Sequence, residues 1–278
     1  MKYLVLGSAG QIGVPLCEHL RQSGHTVFEF DIEDNPIEDL RINSNELLEQ
    51  KVVDCDFIIF LAFDVGGAKY LEKYEHTFDF IHNNVRLMAN TFELISKYNK
   101  PFIFSSSQMS NMSHSPYGIT KTVGETYTSI LGGLTVKFWN VYGPEHNDEK
   151  SHVITDFILK ARDTGVIDMR TDGTEVRQFL YAKDCSKALE ALSRSYDKVP
   201  KDKELHITNF KWNSILEVAE IVASHYKNVT IQPSTKRDMV QRDKRNEADP
   251  YILNFWKPEI ELAEGISKMI EYYNEHTS

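Results

Sequence analysis

The residues best suited to chemistry are Tyr117 and Lys121, in the run Tyr117-Gly118-Ile119-Thr120-Lys121 that follows Pro116. Pro116 reads as the first position of a helix, and on a helix two side chains four residues apart share a face, one turn from each other. That spacing puts an ammonium beside a phenol. A tyrosine of ordinary pKa ~10 is a poor base at neutral pH, but nearby cations favour the phenolate. Lowering its pKa by ~3 units takes about 4 kcal/mol, which adjacent positive charges in a partly desolvated cleft can supply. Such a pair suits the movement of a proton to or from a hydroxyl. Ser107, ten positions earlier at the end of an apolar run, offers a hydroxyl for the same substrate oxygen, with Ser106 as the alternative.

A Tyr and a Lys at this spacing also arise as an ordinary packed or solvated pair, so the elements around them decide. Tyr3 to Leu6 is a short apolar run that enters the turn Gly7-Ser8-Ala9-Gly10-Gln11-Ile12-Gly13. A helical pattern over Val14 to Ser23 follows, then a second apolar run, Val27 to Phe30, ending at Asp31. Strand, glycine turn, helix and parallel strand make half of a dinucleotide-binding fold. Gly7, Gly10 and Gly13 allow a tight turn, close approach of a pyrophosphate and close packing of helix on strand. With Gln11 and Ile12 they open a helix whose first N–H groups face the phosphates. Asp31 lies 18 residues beyond Gly13, where its carboxylate can accept hydrogen bonds from both ribose hydroxyls of an adenosine. It repels a 2′-phosphate, and Ile32, Glu33 and Asp34 bring no cation to relieve that, so NAD is expected over NADP. A positively charged nicotinamide would add a second cation near Tyr117.

At 278 residues the chain can bury the core of one large α/β unit, or of one with a smaller companion. A formal net charge of −10 argues against a nucleic-acid partner, which needs clustered Lys and Arg. Three cysteines, Cys17, Cys55 and Cys185, show no paired spacing and point to a reducing compartment without disulfides. No CxxC or HExxH occurs, and His76 and His82, six apart, share no helical face, so no metal site is expected. The first strand begins directly after Met1, and no apolar run approaches the roughly 18 residues of a membrane span. A cytoplasmic location and no membrane partner follow as expectations.

Strand and helix patterns alternate along the first half, which predicts a doubly wound parallel sheet. Asn43 to Gln50 reads as helix, Phe57 to Leu61 as strand, and Thr77 to Tyr98 contains a long helical pattern. Phe102 to Phe104 reads as strand, Pro116 to about Leu131 as helix and Leu134 to Phe138 as strand. After Gly143-Pro144 the elements shorten. Helices are expected over Val153 to Ala161, over Asp184 to Ser193 with Asp184 as cap, over Ser214 to Tyr226, and over Ile260 to Tyr272. Strands are expected at Leu205 to Ile207 and Val229 to Ile231, and Asp249-Pro250 reads as a cap followed by the first helical position. This divides the chain into a nucleotide-binding part, residues 1–144, and a mainly substrate-binding part, residues 145–278, from which the chain can cross back to the sheet.

With these motifs the chain resembles the extended short-chain dehydrogenase/reductases, specifically the NAD-dependent epimerase/dehydratase family, over essentially its whole length. The matching stretches are Gly7 to Gly13, Asp31, Asp39-Leu40, Leu61-Ala62, Asn84-Val85, Ser105 to Ser107, Tyr117 to Lys121 and Asn140 to Pro144. Further on they are Asp172-Gly173, Arg177-Gln178-Phe179 with Tyr181, Asn209, and Arg237 ahead of Asp249. The resemblance implies that Asp39 and Leu40 bracket the adenine, that Leu61 and Ala62 line the cofactor channel, and that Asn84 supports Lys121. It places Asn140 at the sugar site and Arg177 and Arg237 on a substrate diphosphate. It also implies a homodimer through the helices at 77–98 and 116–131.

Departures from the family pattern narrow the reaction. Gln108 and Met109 stand where the sugar 4,6-dehydratases carry an Asp-Glu pair, so elimination of water is not expected. No cysteine acid stands at this strand end, the interval from Ser107 to Tyr117 is short, Lys137 replaces the usual Arg, and Gln178 follows Arg177. Val65-Gly66-Gly67 resembles the loop of enzymes that handle GDP-sugars. The basic run Lys236, Arg237, Arg242, Lys244 and Arg245 is a candidate seat for an anion, or a solvated loop. The leading expectation is an NAD enzyme acting on a hydroxyl of a nucleotide sugar, as an epimerase or as a dehydrogenase or 4-keto reductase. The alternatives are a dehydrogenase of a small hydroxy compound, such as a β-hydroxy amino acid, and a non-catalytic dinucleotide sensor.

Overall fold

The computed structural model describes residues 1–145, 147, 149–238 and 246–276. The first half runs β1 (Lys2–Leu6), α1 (Gly13–Gln22), β2 (Thr26–Phe30), α2 (Glu46–Asp54), β3 (Phe57–Phe60), α3 (Ala68–Tyr74) and α4 (Phe78–Tyr98). It continues through β4 (Phe102–Ser107), α5 (Pro116–Ile130), β5 (Leu134–Phe138) and β6 (Asn140–Tyr142). Then come α6 (Val153–Thr164), β7 (Val166–Asp168), β8 (Val176–Tyr181), α7 (Ala182–Arg194), β9 (Leu205–Ile207), β10 (Trp212–Ser214), α8 (Ile215–Ser224), β11 (Thr230–Gln232) and α9 (Leu262–Glu275).

The main sheet has six strands in the order β2-β1-β3-β4-β5-β9, all parallel, as the alternating pattern predicts. Successive side chains on a strand point to opposite faces, so each strand feeds two cores. Tyr3, Val5, Phe57, Ile59 and Ile103 pack on one face with Leu16 and Leu20 of α1 and Leu189 of α7. Leu4, Leu6, Ile58, Phe60, Phe102 and Phe104 pack on the other with Leu48 of α2 and Phe92 of α4.

Short-range signals set the helix starts. Thr77 caps α4 by accepting from the Phe80 N–H, and Ser115 caps α5 by accepting from that of Gly118 at 3.1 Å, with Pro116 at the first position. Asn99, at φ 47°, ends α4 in the left-handed conformation. Ser214 and Glu217 form a capping box at the start of α8.

Beyond residue 144 a three-stranded sheet, β10-β8-β6, and the parallel pair β11-β7 pack with α6, α8 and α9 around Phe157, Ile158, Val218, Ile266 and Met269. The chain also returns to the first half, since α7 packs on α1 and β9 pairs with β5. Asp184 does not cap α7, which starts at Ala182. Its buried carboxylate instead accepts from the N–H groups of Glu259 (2.8 Å) and Ile260 (2.7 Å), holding the approach to α9. Asp249 caps a 3₁₀ turn, Pro250–Asn254, accepting from the Tyr251 N–H at 2.8 Å. The elements α3, β6, β7, β8 and β10 are additions to the sequence expectation. Among the described residues no helix is long and apolar enough to cross a membrane.

Candidate active site

A cleft of about 1400 Å³ runs along the C-terminal ends of the main strands. Its floor at β1 is the glycine turn, with Gly7, Gly10, Gln11, Ile12 and Gly13 all in the wall. Gly7 has φ +89°, and a Cβ there would stand 2.6 Å from the Ala62 nitrogen, while one at Gly13 would stand 2.1 Å from the Gly7 carbonyl oxygen. The turn is therefore folded tightly against itself and against the end of β3. At Gly10 an added Cβ would meet only the Gly7 oxygen at 3.4 Å, leaving bare backbone facing the cleft. This cradle fits a dinucleotide pyrophosphate lying over the start of α1.

Asp31 lines the next part of the cleft and is braced by its surroundings, accepting from the N–H groups of Ala9 and Glu33, each at 3.0 Å. Glu38 accepts from the Asp31 N–H at 3.2 Å and pairs with Lys51 at 2.7 Å. Leu40, Leu61 and Ala62 are also in the wall, as is Asp39. Asp39 is held by Arg41 through two hydrogen bonds of 2.9 Å. Burial alone would raise the Asp39 carboxyl, but the guanidinium outweighs it and holds it below the usual range. Arg41 is a cleft cation that the sequence argument missed, and Asp39 offsets its charge.

Tyr117 and Lys121 sit side by side on α5 at the cleft floor, both buried. The Lys121 Nζ donates to the Ser105 carbonyl at 2.6 Å and lies 3.7 Å from the centroid of the Phe63 ring and 5.8 Å from that of Tyr117. Phe63 also meets the Tyr117 ring edge-on. The Ser107 hydroxyl, at the end of β4, accepts from the Met109 N–H at 3.1 Å and weakly favours the Tyr117 phenolate, but Ser105 and Ser106, not Ser107, line the cleft. Ser106, one residue back and on the opposite strand face, donates to Glu125. Gly118 is required here, since a Cβ would stand 2.2 Å from the Met109 carbonyl oxygen.

Electrostatically the pair departs from the sequence expectation. Burial pushes the Tyr117 phenol up to about 12, against the lowering effect of Ser107, and pulls the Lys121 ammonium down to about 7, against the charge of Glu125. The neighbouring cation is outweighed here by desolvation, which disfavours either charged form. The chain's own groups therefore hold Tyr117 protonated at neutral pH.

Other sequence candidates lie elsewhere. Asn84 is fully buried. Its Oδ1 accepts from the Asp64 N–H at 2.7 Å, and its Nδ2 donates to the carbonyls of Asp64 (3.0 Å) and Phe80 (2.9 Å). It thus supports the loop after β3 rather than Lys121 directly. Asn140, on β6, stands between the cleft residues Trp139 and Val141 but is not itself in the wall. Arg177, on β8, is paired with Asp238 and donates to the Val176 carbonyl at 2.7 Å, and Arg237 is exposed on the loop after β11. Neither lines the cleft. Lys236 is exposed, and Arg242, Lys244 and Arg245 lie outside the described residues.

The cleft also brings in residues with no local sequence signal. Asp64 accepts from the Tyr70 hydroxyl at 2.6 Å and pairs with Lys150 at 3.4 Å. Glu145 lies 2.6 Å from Nδ1 of His152. The Asp64–Lys150 pair joins stretches 86 residues apart, so spacing alone does not find it.

A glycine cradle at the first strand of a parallel sheet, facing a Tyr and Lys on the helix after the fourth, defines a dinucleotide-dependent enzyme of the extended short-chain dehydrogenase/reductase type. The sequence matches the profile of the NAD dependent epimerase/dehydratase family over residues 3–208, and the chain belongs to that family, whose cofactor is NAD. Among similar proteins, a Methanocaldococcus jannaschii protein provisionally named UDP-glucose 4-epimerase is 27% identical, the match covering 97% of each chain. The UDP-N-acetyl-alpha-D-glucosaminuronate decarboxylase of Bacillus cytotoxicus is 27% identical, covering 78% of each. The UDP-glucose 4-epimerase of Thermus thermophilus, solved with NAD, superposes with a TM-score of 0.79 at 19% identity over the full length of both chains.

Proposed function

We propose that this chain acts on a hydroxyl of a nucleotide sugar with NAD, as an epimerase or as a dehydrogenase or 4-keto reductase, with Tyr117 as the acid/base. The observation that carries the reading is the Tyr117–Lys121 pair on the floor of the same cleft that the glycine turn opens, with Ser107 at the end of the adjoining strand. NAD supplies a hydride acceptor and donor. Tyr117 moves the hydroxyl proton, Ser107 holds the sugar oxygen beside the phenol, and Lys121 brings the positive charge that favours the phenolate. Ser107 is preferred to Ser106 because Ser106 is committed to Glu125. Gly7, Gly10 and Gly13 seat the cofactor's diphosphate, and Asp31 takes the adenosine ribose.

A nucleotide sugar is favoured over a small hydroxy compound because the matched relatives carry UDP-sugar names over 97% and 78% of this chain. A sensor is disfavoured because a protein that only binds dinucleotide has no use for a buried Tyr–Lys pair. Arg177 and Arg237 remain the proposed diphosphate grip, with Arg177 exchanging Asp238 for the substrate. The test is a panel of UDP-, GDP- and dTDP-sugars plus NAD, followed by absorbance at 340 nm and by sugar identity. An epimer formed without net absorbance change marks an epimerase, and a sustained change marks a dehydrogenase. No product from any sugar, with turnover of a small hydroxy acid, would overturn the reading.

A further inference from the structure

Glu125 stands one turn beyond Lys121 on α5, and its carboxylate is the hub of a polar network that the chemistry described so far does not use. It accepts from the Ser106 hydroxyl and lies 3.7 Å from Nζ of Lys137, whose side chain is only 2% exposed. Lys137, on β5, in turn donates to Glu204 at 2.6 Å and to Oδ1 of Asn111 at 3.3 Å. Glu204 lies 3.0 Å from Nε2 of His206, and the other nitrogen of that ring accepts from the indole of Trp139, a cleft residue, at 3.0 Å. A buried lysine and two carboxylates thus run from the helix of the acid/base pair to the far wall of the cleft.

Lys121 itself is enclosed by apolar rings. The groups packed on it are Tyr117 of its own helix, the Ser105 carbonyl of β4 and the rings of Phe63 and Phe104. Among the described residues, Glu125 is the charged group acting on it. An ammonium among rings and one carbonyl loses most of its solvation, and a carboxylate one turn away offsets part of that loss. Lys137 neutralises part of that carboxylate, and Glu204 neutralises part of Lys137.

We propose that Glu125 is a positioning residue for the Tyr117–Lys121 pair. It biases Lys121 towards the ammonium form and, through Ser106, fixes the end of β4 that carries Ser107, while Lys137 limits how strongly it acts. The inference rests on the catalytic reading of Lys121 given above.

The test reads Lys121 directly, in the full chain without added cofactor. Protein labelled with ¹⁵N at lysine Nζ is titrated by NMR, and the Lys121 signal is assigned by its loss in Lys121→Met. Glu125→Gln keeps an acceptor for Ser106 and deletes the charge, so the Lys121 midpoint should fall by about 0.5 to 1 pH unit, at or below the low end for an adjacent opposite charge. Lys137→Met frees the Glu125 charge, and the midpoint should rise. A fall in Glu125→Gln supports the proposal; the rise in Lys137→Met is expected beside it but also follows from removing a nearby cation, so Glu125→Ala replaces Glu125→Gln should that variant not fold. An unchanged midpoint in every folded variant overturns it. Turnover by Tyr117→Phe and Lys121→Met is measured alongside. Loss of turnover in both, with an unmoved Lys121 midpoint in the Glu125 and Lys137 variants, rejects only the role of Glu125. Full turnover in both rejects the catalytic reading itself.

Discussion

Ser106 and Ser107 are neighbours on β4, yet one hydroxyl donates to Glu125 and the other accepts from the Met109 N–H. Strand alternation separates them, since adjacent side chains leave on opposite faces, and Ser106 shares the Phe104 face on which α5 packs. A shift of register by one residue would exchange them, so the pairing of β4 with β5, Ser106 against Lys137 and Ser107 against Phe138, is part of the site.

Tyr117→Phe is expected to remove nearly all turnover, by ~100-fold or more, while NAD binding stays almost unchanged, because the ring still packs against Phe63 but carries no transferable proton. Steady-state rates and NAD titration check this. Retention of more than roughly a tenth of the activity would require another acid/base.

Asp31→Ala should weaken NAD by roughly ten- to a hundredfold, the value of a charge-assisted hydrogen bond. It should also bring NADP binding closer to that of NAD, since Glu33, Asp34 and Glu38 remain nearby but the carboxylate facing the ribose is gone. Calorimetry with both cofactors decides. Equal binding of the two by the unmodified chain would remove this role from Asp31.

Arg177→Ala and Arg237→Ala should each raise KM for the nucleotide sugar by about ten- to a hundredfold, from ~1.5 to 3 kcal/mol per charge-assisted contact, with less effect on NAD. Values of kcat/KM that match the unmodified enzyme in both variants would shift the reading towards a small-alcohol dehydrogenase.

A homodimer is expected through α4 and α5. Phe78 and Val85 on one helix and Ile119, Val123, Tyr127 and Ile130 on the other are exposed, and the two helices pack side by side. Such a face is costly to leave in water, and a two-fold axis would bury the same patch on both chains. Light scattering should give twice the chain mass at micromolar concentration, and Val123→Glu should halve it. A monomer for the unmodified chain contradicts this.

The His152–Glu145 pair should give stability a pH window. Burial lowers His152, but the Glu145 charge outweighs it and raises the imidazole above its ordinary value. Burial likewise raises Glu145, and His152 outweighs it and lowers the carboxyl. The histidine contribution is full below its unfolded value and fades as pH rises through the folded one, and the carboxylate contribution fades as pH falls. His152→Gln should therefore lower Tm most between about pH 4.3 and 6.5 and much less at alkaline pH. A loss that does not vary with pH would refute it.

Much of the first half is legible because its signals are local. The glycine turn, Asp31 and the Pro116 start of α5 each depend on a few adjacent residues, and each has its expected neighbours. The helix α3 was hidden because it is seven residues long, follows Gly66-Gly67 and buries only Leu71. The strands β7 and β10 have three residues each, too few for alternation to show. At the site, the burial of Tyr117 and Lys121 is a property of packing from several elements, and no spacing rule gives it. The partners of Lys137 lie at Glu125 and Glu204, on opposite sides of it in the chain. Glu125 alone was within reach of a local rule, as the next acid one helical turn past Lys121.

The placement of β9 beside β5 bears on how the protein is made. A chain emerging from the ribosome can form five parallel strands by residue 138, but the strand that covers the β5 edge arrives only at residue 205. Until then β5 is an open edge whose residues are mostly buried in the finished molecule, the kind of surface that invites strand pairing between nascent chains. A truncation at residue 144 would make that edge permanent. Such a fragment should aggregate on expression, whereas one extended past Ile207 closes the sheet and has a better prospect of folding.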